Sequence, residues 1–265
     1  MVETLIDLKE NHNVIGIKAE FEAEGTRLEE ALRLKEVITK AGLDLTIKIG
    51  GCEALKDMYD ARSIGVKRIV APMIESPYAL KKYLQSAKLA FPNDEMEEIE
   101  LLINIETKQG YKLFDEMLAL PDRSLLAGIV LGRVDMTGSL DLKRDDINSE
   151  QIFDIAKDLL KRAKANGLEC VIGGGVSEAS IPFFNRLEKG ILDHYETRKV
   201  IFKYVDGVDQ KEAGIGILKA VGFELMWLKN KRNFYGLIFN EDTHRIEMLE
   251  KRYHKLILEA GGMDA

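Results

Sequence analysis

Two carboxylates in this chain stand where buried apolar runs end. In "LLINIETKQG" (101–110) the run stops at Glu106, and in "GIVLGRVDMTGSL" (128–140) it stops at Gly132, Arg133 and Asp135. Consecutive apolar residues such as Ile129-Val130-Leu131 are the mark of a strand covered on both faces, so the polar groups after them lie at strand carboxyl ends. Period-two alternation sets Leu102, Asn104 and Glu106 on one face and Leu101, Ile103 and Ile105 on the other. Asp135 comes one βα unit later, and adjacent strands are about 4.8 Å apart, so the two carboxylates are within reach of one divalent cation. Without a cation such a pair repels and one member takes a proton. With Mg²⁺ or Mn²⁺ both stay ionised as oxygen ligands, and water and substrate fill the other coordination positions. The plain alternative is a pair of loop acids, one capping a helix and one solvated.

Four more charged residues alternate into the same kind of position. In "LTIKIGG" Thr46, Lys48 and Gly50 share a face, and in "IGIKAEFEAEG" Lys18, Glu20 and Glu22 do. Lys48 either serves a substrate or only neutralises Glu20 or Glu106. The glycine run in "CVIGGGVSEAS" (170–180) has two readings: a phosphate cradle of exposed amides, or a tight turn packing a helix capped by Ser177 close to a sheet. No GK[ST] partner accompanies it, which favours the turn.

The elements that must position these groups alternate along the chain. Strands are expected at 14–21, 45–50, 67–74, 101–106, 128–132, 170–175 and 199–204. Helices are expected near 26–41, 53–64, 77–90, 110–119, 149–166, 178–189, 209–230 and 244–260. Ser76-Pro77 reads as an N-cap with proline at N1, and Gly42, Gly65 and Gly167 come after helices where a left-handed residue is wanted. Such βα alternation builds either a closed barrel or an open doubly wound sheet. The absence of a GxGxxG fingerprint and the polar ends on many strands favour an α/β TIM barrel, (β/α)₈, as one domain over 1–265, with extra C-terminal helices from about 209. The eighth strand is to be sought in the first thirteen residues or in "NFYGLIF" (233–239).

Composition narrows the partners. The 265 residues carry a net charge of −7 and are 46% hydrophobic, so no basic excess exists to bind nucleic acid or an anionic membrane. The two cysteines, Cys52 and Cys170, form no CxxC or zinc pattern, and neither a signal peptide nor a membrane-length apolar run is visible. A cytoplasmic protein is expected. The apolar stretch "AGIGILKAVGFELMWL" offers more than one layer over a barrel needs, so a homo-oligomer is expected.

The ordered strings "IVAPMIES", "INIETKQG" and "GIVLGRVDMTGSL" resemble the HpcH/HpaI aldolase and citrate lyase beta-subunit family, which runs through PMIE(S/T), (V/I)ETxxG and GxxDLxxSLG strand ends in that order. The likeness is clear over 66–141 and weaker over 14–65. It implies a barrel of the phosphoenolpyruvate/pyruvate type that binds Mg²⁺ or Mn²⁺ through Glu106 and Asp135. It further implies a lyase that makes or breaks carbon–carbon bonds beside a 2-oxo acid or an acyl thioester through a metal-stabilised enolate. A small carboxylate substrate would rest on the amides of Arg133, Val134 and Asp135, with Gly132 allowing close approach. The Arg133 side chain would add positive charge beside the metal or pair with a rim acid.

The chain also departs from that family. Lys48 stands near an arginine that touches the substrate carbonyl oxygen in relatives, and lysine lacks the bidentate fork. Glu20 falls near the acid of an LEDAV motif, but no histidine matches the DGEH segment of the aldolases. His12, His194, His244 and His254 lie outside the motifs. Acid/base work would then fall to Glu20 or Lys18. Three functions remain in view: a metal-dependent lyase, a phosphate-binding barrel isomerase or synthase using the Gly173–Gly175 loop, and a barrel without activity serving as a binding subunit.

Overall fold

In the computed structural model, which describes residues 1–262, eight strands close into a barrel in chain order. They are β1 (Val14–Glu20), β2 (Asp44–Lys48), β3 (Arg68–Ala71), β4 (Glu100–Ile105), β5 (Leu126–Gly132), β6 (Glu169–Gly173), β7 (His194–Glu196) and β8 (Val200–Lys203). The helices are α1 (Val2–Asn11), α2 (Leu28–Lys40), α3 (Leu55–Ile64), α4 (Pro77–Ala90), α5 (Asn93–Met96), α6 (Lys108–Lys112), α7 (Phe114–Leu118), α8 (Arg133–Ser139), α9 (Glu150–Ala165), α10 (Ile181–Asn185) and α11 (Gln210–Glu259). Punctuation acts as expected: Ser76 Oγ accepts from Ala79 N–H at the start of α4, and Gly42, Gly65 and Gly167 all have positive φ.

The barrel departs from a regular (β/α)₈ in one place. The expected strand near 199–204 is β8, and the missing eighth strand is β7, found neither in the first thirteen residues, which form α1, nor in 233–239, which are helical. β1 to β7 run parallel to their chain neighbours, whereas β8 is antiparallel to both β7 and β1. The reason is length. Only Thr197, Arg198 and Lys199 join β7 to β8, while a parallel crossover needs a dozen residues or more. The turn is closed by Thr197 N–H to Val200 O at 2.9 Å and Val200 N–H to Thr197 Oγ1 at 3.1 Å. As a consequence the start of β8 lies beside the carboxyl ends of the other strands.

The outward strand faces are apolar, and Ile17, Leu45, Ile47, Ile69, Leu101, Ile103, Ile129, Leu131 and Ile172 are fully buried. Each such side chain contributes about 1.5–3 kcal/mol by leaving water. Inside the barrel Val70, Leu102, Val130 and Val171 form one apolar layer. At the amino ends of the strands Arg68 bonds Glu100 and, with both terminal nitrogens, Glu169, at 2.9 and 3.0 Å, and His194 Nδ1 lies 2.7 Å from Glu169 Oε1. This plug and the valine layer close the barrel from below. The rim above them is left for chemistry.

Two compact units are distinguished, Met1–Phe223 and Glu224–Ala265. The expected separate helices near 209–230 and 244–260 are one continuous helix, α11. Among the described residues no helix is long and apolar enough to cross a membrane.

Candidate active site

Glu106 stands immediately after the last residue of β4 and is buried, with Oε1 accepting the Met73 N–H at 3.0 Å and Oε2 accepting Asn104 Nδ2–H at 2.7 Å. Each residue of the strings around it has a physical task. Met73 takes a left-handed φ of 48°, costly for a residue with a side chain, and so turns its amide into the rim. Thr107 Oγ1 caps α6 by accepting from Gly110 N–H at 3.1 Å, and a Cβ on Gly110 would strike Ile74 O at 2.8 Å. Gly132 faces Glu106 from the next strand, where a Cβ would stand 2.5 Å from Glu106 Oε2 and 2.8 Å from its Cβ. The "ETKQG" and "LGRVD" strings are thus two halves of one seat for a carboxylate.

Asp135 lies in the first turn of α8, exposed, immediately after β5. α8 is tied to α6 by Lys108 N–H donating to Ser139 Oγ at 2.8 Å, which fixes Asp135 relative to Glu106. The Asp135 charge is felt at Glu106. Burial raises the Glu106 carboxyl above its ordinary range, Lys48, Asn104 and the Met73 amide oppose this, and the Asp135 charge adds to the rise. Asn104 Oδ1 is buried beside Glu106 without a hydrogen-bond partner. An oxygen-rich donor set with a desolvated carboxylate and an orphaned carbonyl suits a hard divalent ion. Among the described residues no group of three His, Cys, Asp or Glu is arranged around a metal position, so the protein offers two carboxylates and would leave the remaining positions to water and substrate.

Lys48, at the end of β2, reaches the same place. Its Nζ is 3.0 Å from Glu22 Oε2 and 3.9 Å from Glu106 Oε1. Burial disfavours its charge, but Glu106, Glu22 and Glu20 outweigh that and raise its pKa, so it is a fixed ammonium. Lys18 is held more tightly, with Nζ 2.5 Å from Glu196 Oε1 and 3.3 Å from Glu20 Oε1. Burial again opposes the charge, and Glu196 and Glu20 again overcome it. A lysine so raised is a poor proton carrier at neutral pH. Lys18 ion-pairs with Glu20 and so holds that carboxylate in place at the rim.

Sequence reasoning missed Glu196 and Lys199. Glu196 ends β7 and leans over Gly173, where a Cβ would lie 3.0 Å from its Oε1. Lys199 pairs with Glu24 at the turn into β8. Alternating polarity in "HYETRKVIFK" was the available signal, but a three-residue strand gives too short a period to read. Counting these, the rim holds Lys18, Lys48 and Lys199 against Glu20, Glu22, Glu24, Glu106, Asp135 and Glu196, an acidic excess that favours a cation.

Arg133 differs from both expectations, since it neither lies beside the acids nor pairs with one. It is fully buried beneath the rim, donating to Gly173 O (3.3 Å), Gly174 O (3.1 Å), Asn148 Oδ1 (2.5 Å) and Ser180 Oγ (3.1 Å). Its guanidinium lies 5.2 and 5.3 Å from the ring centres of Phe183 and Phe184 in α10. Desolvation lowers its pKa to about 10, which leaves it charged at neutral pH. The side chain is a strut between α8 and the glycine loop. That loop is a tight turn: Gly174 and Gly175 have φ of 79° and 64°. A 3₁₀ turn at Glu178–Ser180 and the short α10 come after it, in place of the helix expected at 178–189. A Cβ on Gly174 would lie 2.7 Å from Val134 N and 2.8 Å from Arg133 N, so only glycine lets the loop pack this closely on the start of α8.

The structure is a closed eight-stranded barrel whose acidic rim carries one buried and one exposed carboxylate, Glu106 and Asp135, at neighbouring strand ends. The chain belongs to the HpcH/HpaI aldolase/citrate lyase family, whose model matches residues 26–174. Solved structures with the same fold include a HpcH/HpaI aldolase/citrate lyase family protein from Burkholderia cenocepacia J2315, at 14% identity and TM-score 0.57, covering 86% of this chain and 91% of that one. Another is the citrate synthase SbnG, at 14% identity and TM-score 0.60, covering 88% and 90%. No curated protein matches the chain. The matched segment begins after β1 and ends at Gly174, so Lys18, Glu20 and Glu196 lie outside it.

Proposed function

We propose that this protein is a metal-dependent carbon–carbon lyase or aldolase that acts on a small 2-oxo acid or acyl thioester. The observation that carries the reading is Glu106: a carboxylate buried at a strand end, raised by desolvation, next to Asp135 and the orphaned Asn104 Oδ1. Family membership supports the class of reaction. Glu106 and Asp135 would hold Mg²⁺ or Mn²⁺, and the bound ion would supply a Lewis acid for the charge that develops on an enolate oxygen.

The remaining work falls to the chain's own groups. The amides of Arg133, Val134 and Asp135 in the first turn of α8, a turn held by the Arg133 strut, would receive the substrate carboxylate. Lys48 keeps its charge through Glu22 and Glu106 and places it at the substrate carbonyl, replacing the arginine of relatives by a point charge. Glu20, pinned by Lys18, is positioned to take the proton from the carbon beside the carbonyl, and the Lys18 pair with Glu196 keeps that lysine from competing for it.

The test is exchange of the methyl protons of pyruvate, and of acetyl-CoA as the thioester, into D₂O monitored by NMR. The parent with Mn²⁺ is expected to exchange at least one of them. Glu106→Gln should lose exchange by on the order of a thousandfold, the size of effect typical for removing a principal electrostatic stabiliser. Metal-independent exchange, or exchange that survives Glu106→Gln, refutes the reading.

A further inference from the structure

The second unit carries a pattern that the barrel does not use. Along α11, Leu225, Leu228, Arg232, Tyr235, Phe239, Asp242, Ile246, Leu249, Tyr253 and Leu256 recur at alternating spacings of three and four, a heptad seam. Most of the apolar members are solvated: Leu225, Leu228, Phe239, Ile246 and Leu249 are each half or more exposed, and Tyr235 is half-buried. So long a solvated apolar stripe on one helix marks an interaction surface. Two charges interrupt it, Arg232 and Asp242, both exposed. They stand about 15 Å apart along the helix at 1.5 Å per residue, too far to pair within one chain.

We propose that this seam is an interface with a second copy of the same chain, packed antiparallel about a two-fold axis between Tyr235 and Phe239. The charges decide both the occupant and its direction. When a second copy is laid antiparallel with Leu225 facing Leu249, Leu228 faces Ile246, Tyr235 faces Phe239, and Arg232 faces Asp242. The two interruptions meet each other, twice over by symmetry. Every other layer in the span is apolar against apolar. A parallel pair would place Arg232 on Arg232 and Asp242 on Asp242 inside the seam, which repels. A polar residue within an otherwise apolar seam is the device that selects register and orientation. The span from 225 to 249 is about 37 Å long. This interface does not depend on the reading of the barrel site.

The experiment uses the full chain in sedimentation velocity and light scattering at micromolar concentration. The parent is expected to run as a dimer, twice the monomer mass of 29.9 kDa. Arg232→Glu and Asp242→Arg, each alone, should weaken self-association at least about tenfold, because each sets like charges face to face. The chain with both Arg232→Asp and Asp242→Arg should recover the parent's association, since the pair is merely exchanged. These positions are exposed, so the barrel's melting should not move. Direction is read by disulfides in a Cys52→Ser background, Cys170 being buried. The chain with both Leu225→Cys and Leu249→Cys should cross-link to a dimer on oxidation, and Leu225→Cys alone should not. A monomeric parent, a dimer indifferent to the single charge reversals, or cross-linking of Leu225→Cys to itself overturns the proposal.

Discussion

If Glu106 and Asp135 hold the metal together, removing either negative charge should abolish stabilisation by metal while leaving the fold intact. The perturbations are Glu106→Gln and Asp135→Asn, which keep shape. A ligand at 100 times its Kd stabilises the folded state by about 2.7 kcal/mol. With an unfolding entropy of about 2.1 cal/mol/K per residue over 265 residues, that is about 5 °C in Tm. If the lost charge raises Kd on the order of 100-fold, the same ligand concentration gives only about 0.4 kcal/mol, under about 1 °C. The assay is a thermal melt with and without Mn²⁺ plus oxalate, a planar mimic of the pyruvate enolate. The metal-free baseline carries its own sign. Because burial raises the Glu106 carboxyl, the folded state binds a proton up to higher pH than the unfolded chain, and stability falls as pH rises from the ordinary carboxyl range through the raised value. At neutral pH the ionised group is therefore a cost. Glu106→Gln should melt slightly higher than the parent without metal, the more so because the new amide can donate to the orphaned Asn104 Oδ1. Equal metal-induced shifts in all three proteins would refute the shared site.

Two further outcomes rest on buried groups. Arg133→Met removes the donor to Gly173 O, Gly174 O, Asn148 and Ser180 at once, and urea unfolding should show a loss of about 3–5 kcal/mol, the range for breaking a buried charged network; a loss below about 1 kcal/mol would mean that the strut holds nothing. Cys170 is buried and desolvation pushes its thiol up to about 12, so a thiol reagent at about pH 8 should label Cys52 in the folded protein and reach Cys170 only after denaturant is added.

Local pattern alone determined the strands that end at or beside Lys48, Glu106 and Gly132, the capping at Ser76, and the shared faces of Lys18 with Glu20 and of Asn104 with Glu106, because period-two alternation and cap chemistry act between residues close in the chain. The family strings were legible for the same reason: each is a short seat whose glycine, threonine and acid must lie at given offsets. Three matters waited for tertiary structure. β7 is three residues long, too short to show a period, and only closure of the barrel assigns it its place and brings Glu196 over Gly173. The apolar "NFYGLIF" has strand composition and helical surroundings, and the heptad seam running through it decides for helix, since the fourth-residue bonds of α11 continue unbroken. Arg133 has a charge that suggests an acid, but what a long side chain touches depends on which loop packs over it. Here the glycine turn after β6 supplies carbonyls in place of carboxylates, and no rule of spacing within "LGRVD" contains that partner, which arrives from 40 residues further along the chain.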